Sequence, residues 1–148
     1  MANFLSIYYY LSFKIRVHLL TLISELCKSV NKQSTRSHTV HKFALFQVIL
    51  IEPHFDSYSV VVEVCGGKPV YVPLKPEGDP SNANNWVLDK AEFEAAFSNK
   101  TKLLMVNTPH NPIGKLFSAE EMEFIARTCE KHNVLIISDE VSTQSCFY

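Results

Sequence analysis

The sequence lacks a charge surplus of either sign: 14 Lys and Arg stand against 15 Asp and Glu, a formal net charge of -1 with a pI near 6.6. That balance gives no electrostatic ground for a nucleic-acid or anionic-membrane partner and leaves small metabolites as the default partner class. Cysteine is sparse. Cys27, Cys65, Cys129 and Cys146 form no CxxC pair and no Cys/His ligand spacing, which argues against a zinc site or other metal centre and against a disulfide framework. Reduced thiols in an intracellular compartment fit this usage best. Long apolar runs are also missing. Phe4 to Phe13 and Val17 to Leu26 are strongly apolar, but Lys14, Arg16 and Glu25 interrupt them well short of the roughly 18 residues a spanning helix needs. No cationic segment precedes Phe4, as a secretory signal would require, and Arg16, Arg36, Ser29, Ser34 and Ser37 match a mitochondrial presequence only loosely. The expected location is the cytoplasm, with the mitochondrion as the alternative.

What is present is enough for one domain with a real core: 148 residues, 47% hydrophobic and 20% charged. Composition shifts near residue 46. Residues 28–42 (KSVNKQSTRSHTVHK) are polar, basic and without periodicity, as in a loop or disordered linker, whereas apolar runs and helical patterns alternate from Phe46 onward.

Phe46 to Ile51 (FQVILI) reads as a buried strand stopped by Glu52-Pro53. Tyr58 to Val64 (YSVVVEV) reads as a second strand by its valines, punctuated by Gly66-Gly67, and Pro69 to Leu74 as a third. Residues 75–85, with Pro76, Gly78, Pro80 and three asparagines, form a surface loop. Asp89 followed by Glu92 starts a helix in which Phe93, Ala96 and Phe97 share a face, ending near Asn99. Lys102 to Val106 is a buried strand. Ser118 with Glu121 caps a helix whose inner stripe is Met122, Ile125, Ala126 and Cys129, closed by Asn133, and Val134 to Ile137 is the next buried strand. Strand, helix, strand, helix, strand implies right-handed crossovers and an α/β fold with a mostly parallel sheet and helices on both faces.

In such sheets ligands bind beyond the carboxyl ends of the strands. Two ends carry polar residues: NTPHNPIGK (Asn107 to Lys115) after KLLMV, and SDEV (Ser138 to Val141) after VLII. A P-loop reading fails, because GxxxxGK[ST] would demand glycine at position 109 and Ser or Thr at 116, where the chain has Pro109 and Leu116.

EPHFDSY (Glu52 to Tyr58), GGKPVYVPL (Gly66 to Leu74), NTPHNPIGK and SDEV stand in the order and spacing of class I aminotransferases, and the chain resembles that fold-type-I family over about 95 of its 148 residues. Within the family the likeness is to kynurenine aminotransferase, a group that also acts as cysteine-S-conjugate β-lyase and glutamine transaminase. The resemblance implies pyridoxal 5'-phosphate as cofactor, an L-amino acid of kynurenine or glutamine type and a 2-oxo acid as substrates, and a homodimer as the family's assembly. It implies that residues 46–141 are part of the large, cofactor-bearing domain, with 1–45 and 142–148 unmatched. Carried over by position, Asp139 faces the pyridine nitrogen, Asn111 bonds the phenolic oxygen and lies near the substrate carboxylate, and Phe55 sits close to cofactor and substrate, with Pro109 and Pro112 stiffening the Asn111 loop. Read without the resemblance, Asp139 serves equally as a turn or helix cap, Asn111 as a turn residue and Phe55 as core, while His110 is a loop histidine without chemical duty and Lys115 a solvated surface lysine.

The family's other parts find no counterpart in these residues. No lysine matches the one that anchors the cofactor, so no residue is assigned as catalytic; residues 1–45 hold no glycine for a phosphate-binding turn; Ser142 stands where the family has a tyrosine; and the substrate-clamping arginine of the small domain is not found. The expectation is a chain inactive by itself, either a truncated gene product or a short isoform acting through dimer contacts.

Overall fold

The computed structural model describes residues 46–140. Readings that fall on residues 1–45 and 141–148 lie outside the described residues. The elements are β1 (Gln47–Glu52), α1 (Ser57–Val64), β2 (Lys68–Pro76), a 3-10 turn (Ala83–Asn85), β3 (Trp86–Leu88), α2 (Lys90–Ala95), β4 (Thr101–Asn107), α3 (Ala119–His132) and β5 (Leu135–Asp139). They build one five-stranded sheet in the order β3-β2-β1-β4-β5. β1 pairs in parallel with β2 and β4, and β4 with β5; only the short β3 runs antiparallel, against β2.

Alternation along the central strands divides their side chains between two cores. Ile49 and Ile51 of β1 join Leu104 and Val106 of β4 on one face, under Phe93 of α2 and Ile125 and Cys129 of α3. Val48 and Leu50 join Leu103 and Met105 on the other face, under Tyr58 and Val62 of α1. Both faces are covered, which is why β1 and β4 read as continuous apolar runs. Phe93, with no exposed surface, meets Phe97 edge-on at 5.2 Å and Phe124 at 5.8 Å. Burial of such a ring contributes about 1.5–3 kcal/mol.

The expected strand at Tyr58 to Val64 is a helix. Valine propensity is outweighed by topology: two adjacent parallel strands need a crossover, and as a helix the segment places Tyr58 and Val62, four residues apart, on one buried face. Its Asp56 N-cap makes no side-chain capping bond, so tertiary packing holds this helix. Gly66, read from the sequence as strand punctuation, ends it. At φ +79° it lets its own N–H reach the Glu63 carbonyl at 2.9 Å and the Gly67 N–H reach Val62 at 2.9 Å.

The two later helices begin where their caps predict. The Asp89 carboxylate accepts from the N–H groups of Ala91 (2.9 Å) and Glu92 (3.1 Å), though α2 stops at Ala95, short of Asn99. Ser118 and Glu121 form the reciprocal box, Glu121 N–H to Ser118 Oγ at 3.2 Å and Ser118 N–H to Glu121 Oε2 at 2.8 Å. Asn133 closes α3 in the left-handed region at φ 53°.

Candidate active site at the sheet rim

β1, β4 and β5 are adjacent and parallel, so Glu52, Asn107 and Asp139 end on one rim. The chain leaves β1 for α1 on one face and leaves β4 for α3 on the other, which makes the gap between β1 and β4 the reversal point of the winding. Such sheets open their ligand crevice there.

Asn107 and Asp139 are register partners on β4 and β5. The Asn107 carboxamide donates from Nδ2 to the Asp139 carbonyl at 2.9 Å and accepts the Asn111 N–H on Oδ1 at 2.7 Å. The Thr108 N–H also reaches the Asp139 carbonyl, at 3.0 Å. Asn111 and Asp139 are thereby tied to the same two strand ends. The Asn111 side chain is exposed and makes no hydrogen bond to the described residues.

The Asp139 carboxylate, half-buried on the α1 side of the sheet, receives a short hydrogen bond from the Tyr58 hydroxyl on Oδ2. Burial pushes the Tyr58 phenol far above its ordinary range, and the bond to Asp139 and that residue's negative charge push it the same way. Tyr58 is therefore a proton donor fixed in its neutral form, and its hydroxyl holds the carboxylate it faces. Phe55, 47% exposed, stands edge-on to Tyr58 with centroids 5.8 Å apart. The reading of Phe55 as core does not hold. His54 stacks on Tyr71 at 5.6 Å and 11°, extending the aromatic surface toward β2.

Between Asn111 and α3 the loop doubles back, with His110 and Lys115 bridging through His110 N–H to Lys115 O at 2.8 Å. Gly114 takes the turn at φ +78°, a conformation that a side chain at this position would strain. Lys115 is not solvated. It is 4% exposed, its ammonium 3.0 Å from Glu121 Oε1 and 5.3 Å over the Phe117 ring. Its ammonium is held within the fold.

His110 is buried as well, edge-on to Phe117 at 5.9 Å, with Nδ1 lacking a partner among the described residues. It is a loop histidine, as the sequence reading has it, with its ring packed into the fold. Burial holds its imidazole below the ordinary value of 6.5, and the charges of Lys115 and His54 add to that, against an opposing hydrogen bond to the Ile51 backbone. The unfolded chain therefore takes up this proton first, and stability falls as pH drops below 6.5. Urea titrations of the native chain and His110→Phe at pH 7 and pH 5 check this. The native chain should lose more, by at most about 1.4 kcal/mol per pH unit; parallel losses would remove His110 from the account.

Three sequence-assigned residues, Phe55, Asn111 and Asp139, thus reach one rim. Tyr58 and Asn107 were missed as site residues. The cue for Tyr58 was helical spacing to Val62, hidden by the valines. Asn107 opens the NTPHNPIGK string, but a strand's last residue gives no sign of which neighbour it will bridge.

The family model for aminotransferase class I and II matches residues 40–144, more than half of the chain. The chain belongs to the class I and II aminotransferases. Over 99 residues this aminotransferase chain is 50% identical to the probable kynurenine–oxoglutarate transaminase BNA3 of Saccharomyces cerevisiae, covering 64% of the chain and 22% of the relative. The crystal structure of Bna3p aligns with 82% of the chain and 34% of its own, at 37% identity and TM-score 0.63. Kynurenine–oxoglutarate transaminase 1 of Homo sapiens is 46% identical over 99 residues, 64% of the chain and 24% of that protein. A pyridoxal-phosphate-bound structure from Clostridium difficile 630 matches 82% of the chain and 27% of its own, at 26% identity and TM-score 0.62. The chain spans about a quarter of the length of the curated relatives it matches. The mostly parallel sheet with helices on both faces matches the α/β fold of these aminotransferase structures over part of their length.

The residues on the rim suit the pyridoxal phosphate that the family implies. A half-buried carboxylate backed by a neutral phenol offers an acceptor for a protonated ring nitrogen, and an exposed carboxamide offers a donor for a phenolic oxygen. Among the described residues, no group of three or more His, Cys, Asp or Glu could hold a metal ion, and no helix is long and apolar enough to cross a membrane.

Proposed function

We propose that residues 46–141 form part of the cofactor-bearing domain of an aminotransferase that moves the amino group of an L-amino acid, of kynurenine or glutamine type, to a 2-oxo acid. Cysteine-S-conjugate β-elimination is a side activity of the same site. The observation that carries this reading is the pinning of Asn111 and Asp139 to one rim through Asn107, with Tyr58 behind the carboxylate.

When bound, pyridoxal 5'-phosphate would supply a protonated ring that accepts electrons from the substrate α-carbon. Asp139 keeps a proton on the ring nitrogen, because an ionised carboxylate beside that nitrogen favours its charged form. Tyr58 holds the carboxylate in place. Asn111 would orient the ring through its phenolic oxygen and lie near the substrate carboxylate, and Phe55 would stand close to both.

Equilibrium dialysis of pyridoxal phosphate against the purified chain tests this. Retention should be reversible, weakened about tenfold or more by Asp139→Ala, the scale of one lost charge-assisted hydrogen bond. Borohydride should trap no adduct on a defined lysine, and kynurenine with 2-oxoglutarate should give no turnover. Retention unchanged in both Asp139→Ala and Asn111→Ala, with the fold intact, would overturn the site assignment.

A second reading, a non-catalytic fragment that binds a full-length subunit, is supported by apolar residues left on the surface. Val60 and Val64 of α1 and Leu135 of the edge strand β5 are more than half exposed. Co-purification with a full-length subunit, lost in Val64→Glu, is its expected result; a monomer that ignores the subunit would refute it.

A further inference from the structure

We infer that Asn107 is a positioning residue that sets the spacing between the two groups proposed to hold the cofactor ring, and this rests on the aminotransferase reading above. Asn107 is 7% exposed, and its carboxamide uses both ends. Nδ2 donates to the Asp139 carbonyl at 2.9 Å and Oδ1 accepts the Asn111 N–H at 2.7 Å. Among the described residues the Asn111 backbone has no other tie of this kind: the loop's remaining bonds, His110 to Lys115 and Gly114 to His110, lie on its far side. The Asp139 end, by contrast, keeps the Thr108 N–H as a second donor.

This asymmetry dictates what each substitution at 107 does. Alanine removes both bonds and frees Asn111, while Asp139 stays in the ladder. Aspartate keeps an oxygen for the Asn111 N–H but loses the donor toward the Asp139 carbonyl, turning an attractive contact into one between two oxygens. A residue that acted only as packing would show no difference in kind between the two variants at the Asn111 amide.

Amide hydrogen exchange of the 148-residue chain, read residue by residue by NMR, decides the matter. The Asn111 N–H should exchange about tenfold faster in Asn107→Ala, the scale of one net hydrogen bond, and return to near-native protection in Asn107→Asp. The Leu104 and Ile137 amides serve as controls for the fold, being deep in β4 and β5. Native-like exchange at Asn111 in Asn107→Ala, with those controls protected, overturns the inference, as does equal loss in both variants. Dialysis with pyridoxal phosphate on the same samples separates the two proposals. If the native chain retains no cofactor while the exchange pattern holds, the aminotransferase reading of this site fails and the positioning role of Asn107 stands.

Discussion

Glu121→Ala should destabilise the chain by about 3–5 kcal/mol, the cost of leaving a buried charge without its partner. The Lys115 side chain is 5% exposed, and the Glu121 carboxylate 3.0 Å away is what compensates its ammonium. The same carboxylate accepts the Ser118 N–H at 2.8 Å, so its loss also removes half of the capping box that starts α3. Three variants separate these contributions. Glu121→Gln retains an acceptor for Ser118 and loses only the charge, so it should fall short of the alanine variant by about 1 kcal/mol. Lys115→Met removes the charge that needed compensation, and its cost should be small, below about 1.5 kcal/mol. Urea unfolding of the three, compared at fixed pH, gives the order directly. A Lys115→Met loss as large as that of Glu121→Ala would mean that the pair itself stabilises the fold and that uncompensated charge is not the governing cost.

The buried pair also shows what could be read from the sequence and what could not. The capping box was legible because Ser118 and Glu121 act on backbone groups within four residues of themselves. Strands β1 and β4 were legible because burial on both faces leaves an unbroken apolar run. The class of site was legible because Asn111 and Asp139 stand after such runs, where a parallel sheet exposes its polar ends. Lys115 was not. Its burial depends on Phe117 and Glu121 closing over it, a tertiary event with no signature in a Gly-Lys dipeptide that reads equally as a surface turn. The error at Tyr58 to Val64 has the same origin. Local propensity favours a strand, and only the requirement to connect β1 with β2 in parallel turns the segment into a helix.

That helix yields the second large effect, which is alkaline. Burial, the bond to Asp139 and the charge of Asp139 together raise the Tyr58 phenol above its ordinary value of 10.0. A group whose folded pKa is raised contributes stability that is complete below the unfolded pKa and is lost as pH climbs through the window up to the folded one. Above pH 10 the unfolded chain gives up the Tyr58 proton while the folded chain keeps it, so each further pH unit should cost about 1.4 kcal/mol. Cys129 pulls in the same direction from pH 9.0, since burial pushes its thiol up to about 12. The contribution of Tyr58 is isolated by difference. Tyr58→Phe should be less stable than the native chain by about 1.5–3 kcal/mol at pH 8, the range for a hydrogen bond to a charged group. By pH 11 the gap should have narrowed by about 1.4 kcal/mol, because the variant lacks the titrating phenol and keeps the cysteine. Guanidinium unfolding at pH 8, 10 and 11 measures it. A gap that stays constant across that range would mean the phenol ionises alike in both states. In that case the Tyr58 hydroxyl would not be locked on Asp139, and the carboxylate at the rim would lack the neutral donor on which its role depends.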